Sequence, residues 1–394
     1  MRGPLLTRDY LDLVLYDKAV GYFNTGARIR QNMRPLDFRA LRGENQYRQV
    51  VADLYRHEQG WTTPVEIFQP VYAEAIVAWM LDSGSASGDR FRIVEIGGGN
   101  GTCAVNILDA LRDRYPSLYD RVTYTLVDIS EQYSRHQQKS LFGHQDRCEF
   151  HNVSAADVGS IRFPGHRDTP TFIIGLEVLD NMSHDKVIHD ETGNVLQTVV
   201  NPSCEREQDA AWSETFVPVD DPLIIEYLDA VKDTPRQKAE HSSLWSRVTA
   251  PFQSDSEDHP ASRSEWLPTT AFAFLKACAK RCPNRHLFLA DFDFLPDAIA
   301  GVNAPVVAEK SIRTAGEAVD HDTYLLDRSI KADIFFPTDF ERLRYVCDSL
   351  SDRKARVWKT AEFMSTFAET SRTMTKSGYN PLLEDYVNTR ILTA

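Results

Sequence analysis

The chain has 394 residues, of which 42% are hydrophobic, 10% aromatic and 26% charged, a composition typical of a globular protein with a substantial core. Its formal net charge of -13 argues against an extended phosphate-binding surface, because nucleic-acid binding draws most of its affinity from clustered Lys and Arg. A small molecule or a protein is therefore the expected substrate, and nucleic acid is not an expected partner.

The cysteines and the apolar runs limit the chemistry and the location. The closest of the six cysteines, Cys278 and Cys282, do not have the spacing of a zinc site, so we expect reduced, structural thiols and no metal. No apolar run approaches the roughly 20 residues that span a bilayer, so no membrane insertion is expected. The start of the chain has no secretory hydrophobic segment, and the acidic residues Asp9, Asp12 and Asp17 do not suit a transit peptide.

The first 88 residues are predicted to form an N-terminal helical region. Apolar side chains recur at helical spacing in three stretches, which cover residues 10–15, 50–55 and 72–80. A run of small residues over 83–88 ends the third stretch. We expect this third helix to pack on the sheet that follows.

From residue 91 onward, short apolar runs alternate with helical stretches. Such alternation predicts parallel strands joined by crossover helices, and hence a doubly wound, Rossmann-like α/β fold. The five predicted strands are Phe91 to Ile96, Val122 to Val127, Phe150 to Val153, Thr171 to Leu176 and His286 to Ala290.

Two segments interrupt the alternation. Residues 187–189 and 195–200 flank a polar turn, which predicts a hairpin inserted after the fourth strand. The polar stretch that follows predicts an inserted region on the substrate side. The predicted organisation is an N-terminal helical region over 1–88, an α/β domain over 89–200 and 269–345, an inserted region over 201–268 and a C-terminal helical extension over 346–394.

A glycine-rich turn follows the first predicted strand and opens a helix. Gly97, Gly99 and Gly101 occupy alternate positions, where the backbone must turn tightly and approach a ligand closely. The dinucleotide fingerprint places its third Gly or Ala one position later, where Thr102 stands, which counts against a nicotinamide dehydrogenase. The turn therefore predicts a site for S-adenosylmethionine, with a plain strand-to-helix connection as the alternative.

Side chains around the turn complete the predicted cofactor site. Asp128 closes the second strand, where a carboxylate accepts hydrogen bonds from both ribose hydroxyls of an adenosine. A helix N-cap beside Ser130 is the alternative role. Ile129 is assigned to the same site, and Val153, after the third strand, to the adenine edge. Glu95 is expected either to orient the ammonium of the methionine moiety or to accept from backbone amides of the turn.

Several segments, taken in order, resemble the MidA family of methyltransferases, which includes a mitochondrial complex I assembly factor that methylates arginine. The resemblance runs from about residue 7 to residue 345. It rests on the glycine-rich turn and on the segments Tyr10 to Tyr16 with Gly21-Tyr22-Phe23, Thr62 to Ile67 with Glu74, Val127 to Ser130 with Gln137, Leu176 to Asn181, Leu289 to Phe292 and Ala332 to Phe340.

The resemblance implies a class I methyltransferase sheet with S-adenosylmethionine as cofactor. It also implies symmetric dimethylation of arginine on a partner protein, a respiratory complex I subunit. The mitochondrial matrix is the implied location, with the cytoplasm as the alternative, and a homodimer is one assembly to consider.

Glu177 and Asp180 are the predicted catalytic residues. They lie just beyond the carboxyl end of the fourth strand, where ligands bind in open α/β sheets, and their spacing predicts one face of a helical turn. A pair of carboxylates can hold a guanidinium bidentately, polarise one nitrogen and accept the charge released. Capping the helix or staying solvated is the alternative. His184 and His189 are candidate bases, although a surface or hairpin position is the commoner outcome.

Three functions are compatible with this sequence. The favoured one is a protein arginine methyltransferase. A small-molecule methyltransferase would use the same cofactor site, since a fold does not fix a substrate. A non-catalytic assembly factor is the third, and it is permitted by departures from the family pattern at Leu176 and Phe292.

Overall fold

A computed structural model describes most of the chain. The described residues are 3–25, 33–57, 62–190 except 162 and 164, 193–202, 212–234, 263–298 except 297, 304–310, 318–327 and 330–394. Among them, no helix is long and apolar enough to cross a membrane.

Helices and strands alternate through the middle of the chain. The α-helices are α1 (Thr7–Tyr16), α2 (Tyr22–Thr25), α3 (Glu44–His57), α4 (Pro64–Ile67), α5 (Val71–Asp82), α6 (Thr102–Arg114), α7 (Pro116–Tyr119), α8 (Glu131–Ser140), α9 (Pro222–Val231), α10 (Thr269–Arg281), α11 (Phe340–Ser349), α12 (Thr360–Phe367) and α13 (Pro381–Glu384). The strands are β1 (Leu5–Leu6), β2 (Phe91–Ile96), β3 (Val122–Val127), β4 (Cys148–His151), β5 (Thr171–Leu176), β6 (Asp185–His189), β7 (Val195–Pro202), β8 (Trp212–Pro218), β9 (Arg263–Leu267), β10 (Arg285–Phe292), β11 (Val306–Lys310), β12 (Ala318–Asp320), β13 (Asp333–Phe335), β14 (Arg356–Lys359) and β15 (Thr389–Thr393).

The central sheet has seven strands in the order β14-β15-β10-β5-β2-β3-β4. Strands β4, β3, β2, β5 and β10 run parallel, and β15 is antiparallel to both of its neighbours. All six residues of β2 are buried, because helices cover both faces of the sheet. The predicted doubly wound α/β fold is confirmed.

Alternate strand residues divide the core into two layers. Phe172 and Ile174 of β5 face the layer that contains α5 and α6, whereas Ile173 faces the layer that contains α9, α10 and α11. Trp79 of α5 packs edge-on against Phe172, with ring centroids 5.8 Å apart. The third predicted helix therefore packs on the sheet, as the sequence predicts.

The predicted hairpin after the fourth strand is present. Strands β6 and β7 pair antiparallel, with Val187 opposite Gln197. They belong to a second sheet, in which β1 and β8 also pair with β7 and β9 pairs with β6. Strands β12, β11 and β13 form a third, antiparallel sheet.

The C-terminal helical extension predicted over 346–394 is wrong in part. This segment contains α12 and α13, but it also supplies β14 and β15, which complete the central sheet. Ile391 and Leu392 of β15 are fully buried. Strands of four or five residues between helices give too short a pattern to identify alone. The predicted boundary between residues 200 and 201 also falls inside β7.

The described cysteines carry free thiols, and Cys103, Cys278, Cys282 and Cys347 are buried. Cys204 lies outside the described residues. Among the described residues, no group of three or more His, Cys, Asp or Glu side chains is arranged to hold a metal ion.

Candidate active site

The glycine-rich turn lies between β2 and α6, at the carboxyl edge of the central sheet. Gly97, Gly99 and Gly101 have φ angles of 66°, 49° and 81°, in the left-handed region that favours glycine. At Gly97 even a methyl group would clash, because a Cβ there would lie 2.7 Å from Cγ2 of Val178. Helix α6 begins directly after the turn, at Thr102, so its first amides are free to meet a ligand.

Asp128 ties the end of β3 to the glycine-rich turn. Its Oδ1 accepts from the backbone amide of Ser130 at 2.9 Å, and its Oδ2 accepts from Nε2 of Gln137 at 2.9 Å. Gln137 also donates to the carbonyl of Gly99 at 3.0 Å. Burial raises the pKa of Asp128 to about 6. The N-cap of α8 is Ser130, whose hydroxyl accepts from Tyr133, so Asp128 does not cap this helix.

The remaining predicted cofactor residues surround this junction. Asn152, next to Val153, donates from its side chain to the carbonyl of Asp128 at 2.9 Å, which brings the loop after β4 to the end of β3. Ile129 and Val153 are half-buried beside it. Glu95 lies beneath the turn, where it accepts from the hydroxyl of Tyr124 at 2.8 Å, and burial raises its pKa to about 7.

Glu177 and Asp180 lie in a tight turn that follows β5. The expected helical turn does not form. Glu177 has φ of 51°, and the amides of Val178, Leu179 and Asp180 all donate to Oδ2 of Asp291, at 3.2, 2.8 and 3.2 Å. The positive φ of Glu177 is incompatible with a right-handed helical turn, and the carboxylate of Asp291 from β10 holds the three amides that follow.

The turn holds two acids in an environment that resists ionisation. Burial, together with nearby Asp291 and Glu66, raises the pKa of Glu177 to about 8. Burial also raises the pKa of Asp180, and the neighbouring carboxylates of Asp291, Asp333 and Glu177 add to the effect. Glu177 and Asp180 are thus electrostatic neighbours, although they do not share a helix face.

Asp333 and Asn181 close the other side of this turn. The side-chain amide of Asn181 donates to Oδ1 of Asp333 at 2.8 Å, and the hydroxyl of Tyr16 donates to the carbonyl of Asn181 at 2.6 Å. Burial raises the pKa of Asp333 to about 7. Helix α1 and strand β13 therefore both reach the turn that carries Asp180.

Comparison with known proteins identifies the family. The model of the S-adenosyl-L-methionine-dependent methyltransferase family Methyltransf_28 matches residues 71–357. The chain belongs to this family. A COG1565 superfamily member from Burkholderia thailandensis, crystallised with S-adenosylhomocysteine, is similar in fold over 99% of this chain and 87% of that chain, with 15% identity and a TM-score of 0.60.

Other comparisons add little to the family assignment. Magnesium protoporphyrin IX methyltransferase from Synechocystis PCC 6803, solved with S-adenosylmethionine, has 13% identity over 57% of this chain and 58% of its own, and its TM-score of 0.25 is too low to bear on the fold. Among curated proteins, none matches the chain.

Membership of this methyltransferase family confirms S-adenosylmethionine as the cofactor. The residues at the carboxyl edge of the sheet fit this molecule. Asp128 would supply a carboxylate for the two ribose hydroxyls, and the turn would supply helix-start amides for the rest of the molecule. The carbonyl Oε1 of Gln137 is buried without a hydrogen-bond partner, beside both Asp128 and Gly99, so it can accept from a ligand group.

Four further residues near the site lie in segments that resemble the family, but residue spacing alone does not assign them to the site. Asp291 accepts hydrogen bonds from the amides of the turn after β5, and Gln137 links Asp128 to the glycine-rich turn. Glu66 of α4 accepts from Nδ2 of Asn100 at 2.6 Å and so joins the N-terminal region to the same turn. Tyr16 touches the turn from α1. Their positions in segments that resemble the family could have indicated a role in the site. The spacing of residues in the sequence does not show which of them are in contact.

The two candidate histidine bases lie apart from one another. His184 is buried and stacks on Phe336, with ring centroids 3.9 Å apart, and burial lowers its pKa to about 4. Its Nδ1 lies 2.7 Å from the carbonyl of Met182. His189 lies on the hairpin and pairs with Glu265 at 3.0 Å. His184 thus has a packed position in the core and His189 a position on the hairpin, and histidines at such positions are more often structural than catalytic.

The substitution Asp128→Ala is expected to weaken binding of S-adenosylmethionine by roughly 1.5–3 kcal/mol, the range for a hydrogen bond to a charged group. Isothermal titration calorimetry measures this change. The matched control is Asp146→Ala, which removes an exposed acid between α8 and β4. A lower melting temperature with unchanged cofactor affinity would instead make Asp128 a purely structural link to Gln137 and Ser130.

Proposed function

We propose that this methyltransferase transfers methyl groups to arginine side chains of a partner protein. The observation that carries the proposal is the pair Glu177 and Asp180. Among the described residues, neither has a Lys, Arg or His partner, and Oδ1 of Asp180 is buried without a hydrogen bond. A buried acid without a partner is costly, so this turn favours a ligand that brings both positive charge and donors.

A guanidinium matches that requirement. It is planar, always charged, and presents five N–H donors with no acceptor, so it can pair with two carboxylates at once. The raised pKa values of Glu177 and Asp180 would fall toward the ordinary range when a cation binds beside them. Binding of arginine is therefore expected to release protons from the pair.

The residues of the chain then have three tasks in the reaction. S-Adenosylmethionine supplies the methyl group when it is bound. The glycine-rich turn and Asp128 hold the donor in place, while Glu177 and Asp180 align one guanidinium nitrogen for an in-line displacement. The displacement forms the new N–C bond and breaks the S–C bond of the donor. The nitrogen also loses a proton, and the ionised carboxylate of Glu177 is the acceptor that we propose for it.

The identity of the partner rests on the resemblance to the MidA family. On that basis the proposed substrate is a subunit of respiratory complex I, the product is symmetric dimethylarginine, and the location is the mitochondrial matrix. The acidic character of the chain, with a net charge of -13, also suits an arginine-bearing protein surface better than a nucleic acid.

The proposal is tested by mass spectrometry of arginine methylation in cells with and without this protein. Rescue with the wild-type chain should restore the same modified peptides, and rescue with Glu177→Gln should not. The purified protein should then methylate a synthetic peptide of the restored sequence. If Glu177→Gln restores complex I assembly without restoring arginine methylation, a non-catalytic assembly factor would be favoured. Methyl transfer to a metabolite and to no protein would favour a small-molecule methyltransferase.

Methyl transfer is expected to rise with pH and to level off above about pH 8. The reason is that Glu177, with a pKa of about 8, must be ionised to hold the cation and to accept a proton. A pH profile of kcat/KM measures this rise. The residual activity of Glu177→Gln should not show the rise, because the variant lacks the titrating carboxylate. A profile that is flat between pH 6 and 8 would contradict it.

The stability of the folded chain should fall with rising pH, whereas methyl transfer should rise. The folded state of Glu177 retains a proton that the unfolded chain releases at its ordinary pKa of 4.5. The free energy of unfolding therefore falls as pH rises from about 4.5 to about 8. Denaturant melts at fixed pH values, with Glu177→Gln as the reference, isolate this contribution.

A further inference from the structure

Gln137 of α8 is buried where a polar helix packs against the glycine-rich turn. It is 1% exposed and shares the buried face of α8 with Tyr133 and Ser134. A Cβ added at Gly101 would lie 3.5 Å from Cγ of Gln137, and one added at Gly98 would lie 3.5 Å from its Nε2. The backbone of the turn therefore limits where this side chain can lie.

The side-chain amide of Gln137 has one orientation that its neighbours permit. Its Nε2 donates to Oδ2 of Asp128 at 2.9 Å and to the carbonyl of Gly99 at 3.0 Å. A flipped amide would place Oε1 against these two acceptors, so repulsion disfavours it. Both N–H donors of the amide are thus committed, one to Asp128 and one to the glycine-rich turn.

The other end of the amide has no such role in the fold. Among the described residues, Oε1 of Gln137 is buried without a hydrogen-bond partner. A buried oxygen of this kind costs stability, and a methionine would occupy a similar volume without that cost. The packing of α8 therefore does not explain an amide at this position. What the amide adds is its pair of donors.

Asp128 depends on hydrogen bonds for its negative charge. Burial raises its pKa to about 6, whereas hydrogen bonds from the amides of Ser130 and Gly99 and from the side chain of Gln137 act in the opposite direction. The nearby carboxyl of Glu95 brings no positive charge. Without the Gln137 donor, Asp128 would be easier to protonate and freer to rotate, and a protonated carboxyl is a poorer acceptor for two hydroxyls.

We propose that Gln137 is a positioning residue for S-adenosylmethionine, which acts by holding the Asp128 carboxylate in the orientation that accepts both ribose hydroxyls. Through the same nitrogen it fixes the carbonyl of Gly99 in the turn. Gln137 thereby determines how strongly the site distinguishes an intact ribose from one that lacks its hydroxyls. The inference concerns the cofactor side alone and does not depend on the identity of the methyl acceptor.

The test uses the full chain without a methyl acceptor and two probes, S-adenosylhomocysteine and its 2′,3′-dideoxyribose analogue. Calorimetry gives the affinity of each probe for the wild type, Gln137→Met, Asp128→Ala and the double variant. Gln137→Glu keeps the shape of the side chain but replaces the donors with a carboxylate, so a loss in that variant does not come from lost volume. The matched control is Gln138→Met, which makes the same change at the exposed neighbour on α8.

S-Adenosylhomocysteine is expected to bind Gln137→Met about tenfold more weakly than the wild type, the loss typical of one hydrogen bond to a charged group. Gln137→Glu should lose at least as much, because two carboxylates would then face each other, and Gln138→Met should bind like the wild type. In the Asp128→Ala background, Gln137→Met should cause no further loss, since a residue that acts through Asp128 has no effect once Asp128 is removed. The dideoxy analogue should bind the wild type and Gln137→Met equally.

Unchanged affinity for S-adenosylhomocysteine in Gln137→Met and Gln137→Glu overturns the inference. A tenfold loss that persists in the Asp128→Ala background, or with the dideoxy analogue, also overturns it, because Gln137 would then act on the cofactor directly or through the fold. The outcome is separable from that of the proposed function. Arginine methylation can fail while the coupling of Gln137 to Asp128 is present, and it can succeed while the coupling is absent.

Discussion

Glu177→Gln is expected to abolish methyl transfer while cofactor affinity is preserved. The amide keeps the shape of the side chain, but it can neither neutralise a guanidinium nor accept its proton. General acid–base catalysis typically contributes 10²–10⁴-fold, so kcat should fall by about that factor. Asp180→Asn should also reduce kcat, because an amide cannot take on the negative charge that a bound guanidinium would favour at this buried position.

The measurement is steady-state transfer from S-adenosylmethionine to an arginine peptide, with calorimetry of cofactor binding on the same samples. Glu369→Gln, which neutralises an exposed acid of the C-terminal segment, controls for the change in net charge. A peptide with lysine in place of arginine should also fail, because an ammonium cannot form two parallel bonds to a carboxylate pair. Wild-type rates in both acid variants would make Glu177 and Asp180 structural residues.

Gly99→Asp is expected to abolish binding of S-adenosylmethionine in a chain that still folds. The position has φ of 49°, which Asp tolerates better than most residues, so the backbone need not move. The new carboxylate would project from the turn near Asp128 and add a second negative charge. We expect a loss of affinity of at least about 100-fold, or roughly 2.7 kcal/mol.

The matched control is Gly378→Asp. It introduces the same residue at a glycine with φ of 90° and open space around its Cβ position. Circular dichroism and melting curves should be similar for the two variants, and calorimetry should distinguish them. Retained affinity in Gly99→Asp would remove the turn from the cofactor site.

The central strands could be predicted because their local pattern is strong. Strands β2, β3 and β5 are mainly apolar runs that begin and end at the predicted residues, since burial on both faces favours apolar side chains at most positions. The glycine-rich turn was predictable for a related reason. Positive φ angles at alternate positions require glycine at those positions, because few other residues adopt such angles, and the alternating glycines are visible in the sequence.

The turn after β5 shows what a local pattern cannot predict. A spacing of three residues indicates a helical turn for Glu177 and Asp180, but Asp291 lies more than 100 positions away in sequence and holds the intervening amides in another conformation. The contact of Tyr16 with Asn181 is equally remote. Such contacts depend on how the sheets and helices assemble, which residue spacing within one segment does not encode.

The position of β15 has a consequence for the order in which this enzyme matures on the ribosome. Its strand neighbours β10 and β14 cannot be bridged until residues 389–393 have been synthesised. Until then both would present open hydrogen-bonding edges, the kind of surface that promotes aggregation. Synthesis of β15 therefore covers these two strand edges at once.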